Sequence, residues 1–291
     1  MKLRKKSLVS NLLCLAVFSS ASFAATSPLN NPRGLAVDAK GNLYVANTLG
    51  GANGTGNILV YSPAYVQLPK KTITQNINLP AAVAFDPSGN LWVANDGASN
   101  GGTHGSVAEY IAGVQNMKAT IAQGIVEPTA LAVDGMDNLW VENNFGNIAI
   151  YGSNSAYAPP IVLMQTLAPP LPLAGMAIVG NDVLAYSSNG FTLLTPATPA
   201  LVSASLQGYA VATTGVALAG GTGGTLYIAA DNQNIYFAPP NQGASYLSAV
   251  PFVPAGIAVD NARGRLYVSS GFGNSIYVIS ATSGAILDII Q

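Results

Sequence analysis

Histidine and cysteine are almost missing from this 291-residue chain, which has one of each, His104 and Cys14. A zinc-type site needs several such side chains converging, so the sequence has no means of building one. Cys14 falls in a segment expected to be removed, leaving no thiol for disulfides or redox chemistry; stability must then come from packing. Charge is scarce too, at 8% of residues. Outside the expected leader, no basic cluster offers a footprint for nucleic acid or anionic lipid. So few charges, beside 31 Gly and 18 Pro, argue against a helical protein and against disorder.

The first 24 residues read as a secretory signal. Lys2, Arg4, Lys5 and Lys6 form a basic start, Leu8 to Phe18 is an apolar stretch too short to span a bilayer, and Ser22-Phe23-Ala24 supplies small residues for cleavage. Export to the periplasm or the outside is expected. With the four basic residues gone, seven cations face twelve acids, a net charge of −5. The mature chain has no further membrane span and is expected to be a monomer.

What is present is a repeat. The unit Gly89-Asn-Leu-Trp-Val-Ala-Asn95 recurs at Gly41–Asn47, Asp137–Asn143, Asn181–Ser187, Gly224–Ala230 and Gly264–Ser270. Each copy is preceded by a short apolar segment ending at residue 38, 86, 134, 179, 219 or 260, so the steps are 48, 48, 45, 40 and 41. A drifting period of this size marks a repeat architecture, and its strand-like pattern selects a propeller over a helical solenoid. The apolar segment reads as an innermost strand, the unit as the second, Asn57–Tyr61 and its equivalents as the third, and stretches such as Lys71–Ile77 and Ala119–Ala122 as the fourth. Asp38, Asp86 and Asp260 open tight turns that their own side chains can bond. The spacing predicts an all-β, six-bladed β-propeller of four-stranded antiparallel blades over residues 25–291, with blades starting near 32, 80, 128, 172, 214 and 254. The chain begins on an innermost strand and ends on an outermost one. Unless residues 25–31 add a short edge, the ring is expected to close by side-chain packing alone.

Function in a repeat protein tends to sit where copies depart from the consensus. Long Gly-rich loops at 48–56 and 96–105 project from one face of adjacent blades, as a binding rim or as plain connectors. No Lys-Ser/Thr follows them, so they cradle no phosphate. His104 in the second loop, near Asp96, is a candidate acid/base or ligand, although a lone loop His is more often solvated. Asn47, Asn95 and Asn143 end three successive second strands; repetition at a fixed place favours amides bonded to local backbone over amides aimed at one ligand. Glu142 stands where copies one and two have Ala, and Glu127 precedes Pro128 at the head of an innermost strand. Glu127, Glu142 and Asn143 carry the oxygen donors that suit Ca²⁺, without a second acidic cluster to support them. Trp92 and Trp140, with Tyr44, Tyr227 and Tyr267, occupy one strand position, which marks them as core between blades.

The pattern P-x-G-[LIV]-A-[VF]-D-x-x-G-N-L-[YW]-V-A-N, followed by an I-x-V-Y strand, resembles NHL repeats over essentially the whole mature chain. The last copy is also similar to YVTN-type propeller repeats. The resemblance implies an interaction or ligand-binding module; a protein or small molecule is the expected partner, and no cofactor is expected. Related six-bladed propellers include metal-dependent lactonases of the gluconolactonase type, which carry a Glu at the head of the first innermost strand. Here that place reads Leu29-Asn30-Asn31-Pro32. Streptogramin-lyase-type propellers rely on histidines, which a single His104 does not match. The expected function is a binding module on one face. The alternative is a divalent-metal hydrolase with its ion in the central tunnel.

Overall fold

Alternation in the repeated unit puts successive side chains on opposite faces of a strand. In the computed structural model every residue of three copies of that strand, Leu43–Asn47, Leu91–Asn95 and Leu139–Asn143, is buried. A strand can hide both faces only if a sheet lies on either side, and that is the arrangement found. The structure describes residues 28–97, 105–113, 116–144, 147–152, 163–167, 173–179, 182–187, 190–194, 201–202, 216–240 and 242–291. The expected signal and His104 lie outside the described residues.

The strands form six antiparallel meanders. The first holds β1 (Pro32–Val37), β2 (Leu43–Asn47) and β3 (Asn57–Tyr61). The second holds β4 (Pro80–Phe85), β5 (Leu91–Asn95), β6 (Ser106–Tyr110) and β7 (Met117–Ile121). The third holds β8 (Pro128–Val133), β9 (Leu139–Asn143), β10 (Ile148–Tyr151) and β11 (Leu163–Leu167). The fourth holds β12 (Leu173–Val179), β13 (Asp182–Ser187), β14 (Gly190–Leu194) and β15 (Leu201–Val202). The fifth holds β16 (Val216–Gly220), β17 (Leu226–Ala230), β18 (Asn234–Ala238) and β19 (Ser245–Ala249). The sixth holds β20 (Gly256–Asp260), β21 (Arg265–Ser269), β22 (Ile276–Ser280) and β23 (Ile286–Ile290). The first strand of each sheet touches that of the next, from β1 through β4, β8, β12, β16 and β20 and back to β1. The fold is an all-β propeller.

Five sheets have four strands. The first has three, which corrects the expectation of a fourth strand at Lys71–Ile77. After Tyr61 the chain passes through a 3₁₀ turn at Pro69–Lys71 and pairs with β3 through the isolated bridges Ile58–Ile73 and Tyr61–Gln67 alone. Pro69 has no N–H to give to a ladder, and the Pro-Lys-Lys turn displaces the pairing.

The Asp turns form as their sequence implies. Asp38 Oδ1 accepts from the backbone N of Lys40 and Asn42, and its Oδ2 accepts from Asn42 Nδ2 at 2.7 Å. Asp86 with Asn90 and Asp134 with Asn138 repeat the two bonds to the Asn. Apolar clusters fill each boundary between described neighbouring sheets. Trp92 packs among residues of the second and third sheets, and Trp140 among residues of the third and fourth, both fully buried. At about 200 Å² apiece, each indole contributes roughly 5 kcal/mol of transfer free energy. Trp140 Nε1 also donates to Asp134 Oδ2 at 2.7 Å. These rings are core.

Ring closure involves more than side-chain packing, a second correction. Ser269 Oγ donates to Arg33 O at 2.7 Å, Arg265 Nη1 to Pro63 O at 3.0 Å and Arg263 Nη2 to Lys40 O at 3.2 Å. The Asn31 backbone N donates to Asn274 Oδ1 at 2.9 Å. Leu29, from the lead-in, is buried in the cluster shared by the first and sixth sheets. No ladder joins β1 to a strand of the sixth sheet. Backbone approaches at the hub are close because glycine allows them. A Cβ on Gly256 would lie 2.2 Å from Arg33 O, and one on Gly34 would lie 2.6 Å from Ala82 Cα.

Candidate functional site

Three sheets share one construction where the chain turns into the innermost strand. The residue before the proline takes a left-handed conformation: Asn31 at φ 56°, Leu79 at φ 51° and Glu127 at φ 46°. Its carbonyl accepts from the backbone N of the residue just after the second strand, which is Thr48, Asp96 or Asn144, at 3.1 Å in each case. The corner and the loop start are thus held side by side on one face of the ring. Non-glycine residues enter this region at a cost, and the threefold recurrence marks it as architecture.

Asn47, Asn95 and Asn143 lock the same corners from beneath. Each is at most 1% exposed. Each side-chain oxygen accepts from the backbone N seventeen residues upstream, in Asn30, Asn78 and Val126. Each Nδ2 donates to the carbonyl nineteen residues upstream, in Pro28, Asn76 and Gly124. Asn143 also donates to Asn147 Oδ1 at 2.6 Å. Its amide is therefore fully engaged within the protein.

Above these corners sits a polar group. Arg33 Nη1 and Asp96 Oδ2 are 3.9 Å apart, a loose and partly exposed ion pair of small net worth. Partial burial pushes the Asp96 carboxyl above the usual range; Arg33 pulls it down and the Glu127 charge pushes it up. Glu127 Oε2 accepts from Asn144 Nδ2 at 2.8 Å. The structure thus brings Asp96 and Glu127 into electrostatic range on one rim.

Glu142 lies elsewhere. On β9 it shares a face with Trp140, the face turned to the fourth sheet, and it is 3% exposed. Burial pushes its carboxyl up to about 7, against the opposing effect of the Thr129 hydroxyl. Its Oε2 finds no hydrogen-bond partner among the described residues. A carboxyl poised near neutrality can hold or release a proton at physiological pH.

The tunnel itself offers little chemistry. Two cavities, of about 130 and 240 Å³, are each lined by all six innermost strands. Their lining side chains are Ala, Val, Leu, Ile and Met with glycines, joined by Thr129 in one and Phe85 in the other. None is ionisable. Among the described residues no three of His, Cys, Asp and Glu gather where they could hold a metal ion. No described helix is long and apolar enough to cross a membrane.

One ion pair with a buried acid escaped the sequence reading. Glu109 on β6 is fully buried and accepts from Lys118 Nζ at 2.8 Å across the β6–β7 hairpin. Burial raises its carboxyl and the lysine opposes the rise. An acid interrupting the apolar strand Ser106–Tyr110, with a lysine nine residues on, was the available signal.

No family model and no curated protein matches the chain. Solved structures do. A streptogramin B lyase aligns with a TM-score of 0.59 at 12% identity, over 91% of this chain and 84% of that one. A selenomethionine-substituted virginiamycin B lyase from Staphylococcus aureus aligns with a TM-score of 0.55 at 13% identity, over 89% of this chain and 84% of that one. At these identities the likeness bears on the fold alone.

Proposed function

We propose that the chain is an exported, monomeric, six-bladed NHL-type propeller that holds a protein or small ligand on the face carrying Arg33, Asp96 and Glu127. The observation that carries this reading is the division of polarity. Arg33, Asp96 and Glu127 stand together at this rim, while the tunnel behind it is lined by apolar side chains. A binding rim needs only such a surface; catalysis needs convergent acid, base or metal at a depth that excludes water. Six blades are supported by the cyclic contacts of the innermost strands and by the bridges that cover the outer edge of the first sheet. Export is supported by the basic, apolar and small-residue order of the first 24 residues.

The test is capture. Immobilised protein is exposed to envelope and secreted fractions of the source cells, beside an Arg33→Ala/Glu127→Ala variant. A species held by the parent and lost by the variant is the expected result. Identical capture by both would move the binding surface off this rim.

Two observations favour a second reading, a hydrolase or lyase assisted by a divalent metal. The structural neighbours are named as lyases, and Glu142 holds a buried carboxyl near neutrality. Elemental analysis together with assays on lactones, esters and a streptogramin B, with Ca²⁺ or Mg²⁺ added, decides between the two. No turnover is expected. Turnover that disappears in Glu127→Gln would put the second reading first.

A further inference from the structure

Where the first sheet departs from the repeat, it leaves a cavity. The segment after β3 lies loosely against the sheet instead of pairing as a strand. Between it and the second sheet is a space of about 300 Å³, at the lower end of the range that small-molecule sites occupy. The turn at Gly89 and the segment after β6 border it, so it opens at the strand ends opposite the Asp96–Glu127 rim.

Its wall is aromatic. Tyr44 and Phe85 meet edge to face, with centroids 5.0 Å apart and planes at 87°, and Tyr110 stands beside them. Tyr110 is fixed by donating its hydroxyl to Gln75 O at 2.5 Å, a bond to the irregular segment itself. Lys70 and Lys71, from the 3₁₀ turn, are the charged residues among the described lining. Lys71 is half-buried. Asn116 adds a neutral polar residue to the lining. A preformed slot with an aromatic wall and two adjacent lysines, and no carboxylate among its described lining residues, matches one ligand chemistry.

We propose that this groove binds a small aromatic carboxylate, its ring against Tyr44 and Phe85 and its anionic group at Lys70 and Lys71. The aromatic wall supplies stacking and apolar burial, and the two lysines supply a point-charge contact for the anion. The site is separate from the Arg33–Asp96–Glu127 face, so the failure of either proposal leaves the other standing.

Isothermal titration of the purified protein with sodium 2-naphthoate tests it, with 2-naphthalenemethanol as the neutral analogue and inorganic phosphate as the bare anion. Naphthoate is expected to bind one to one with a Kd of ~0.1–1 mM at low salt. Lys70→Met/Lys71→Met should weaken it about tenfold, as should loss of the charge in the alcohol. Ile111→Glu, on an exposed lining residue, should weaken it similarly without disturbing the core. Thermal melts of both variants should match the parent. Absence of saturable naphthoate binding, equal affinity for the alcohol, or unchanged affinity in both variants would overturn the proposal. So would phosphate binding as tightly as naphthoate and displacing it, which would leave a charge-only site.

Discussion

Replacing Glu142 with Gln should make the protein more stable at alkaline pH. The folded carboxyl is raised from 4.5 to about 7, chiefly by burial. Between those values the native state keeps the proton and the unfolded chain has lost it. Native stability therefore falls as pH rises from about 4.5 through about 7, and levels off above. A rise of about 2.5 pKa units corresponds to roughly 3 kcal/mol of stability lost across that window. Gln keeps the shape and cannot ionise. Its buried amide costs about 1 kcal/mol for a bond not fully made. Glu142→Gln should thus lie up to ~1 kcal/mol below the parent at pH 5 and about 2 kcal/mol above it at pH 8. Urea titrations at the two pH values measure this, followed by the fluorescence of Trp92 and Trp140, both shielded in the folded ring. Asp96 and Glu109, whose carboxyls are also raised, titrate in both proteins and cancel in the difference. An unchanged pH slope in the variant would refute the argument, as would a loss of stability at pH 8.

Two further changes address the frame. Asn95→Ala removes an acceptor for the Asn78 backbone N and a donor to Asn76 O and Ser106 Oγ, all at a buried place; a loss of about 2–4 kcal/mol in urea stability is expected. Gly256→Ala would drive a methyl to within 2.2 Å of Arg33 O, so the seam must spread; the melting temperature should fall by about 4–12 °C for a cost of ~2–3 kcal/mol, and an unchanged melt would show that the hub has slack.

Much of the frame was legible because it is local. Alternation and the repeat placed β2, β5 and β9 with their last residue right and their first two residues early, and each Asp turn is made from groups within four positions of one another. The fourth strand of the first sheet was not legible. Lys71–Ile77 has a strand-like composition, but Pro69 and the turn it seeds act first. Seam bonds such as Ser269 to Arg33 join residues 236 positions apart, and no pattern within a repeat encodes them. At the rim, Asp96 and Glu127 could be nominated from sequence, but Arg33 could not, because its relevance depends on which sheets stand side by side. The burial of Glu142 was hidden by the same cause. Glu142 was nominated as an oxygen donor, and only the fourth sheet packed over its face of β9 shows it buried.

The three strand-end amides reach back only seventeen and nineteen positions, to the linker through which their own sheet was entered. Each early module can therefore secure its doorway as soon as its second strand exists, without waiting for chain still to come. Closing a short loop costs less entropy than closing a long one, so each latch is a cheaper closure than the meeting of the two ends. The weld between the first and last modules has no such local help, since it joins residues 236 positions apart.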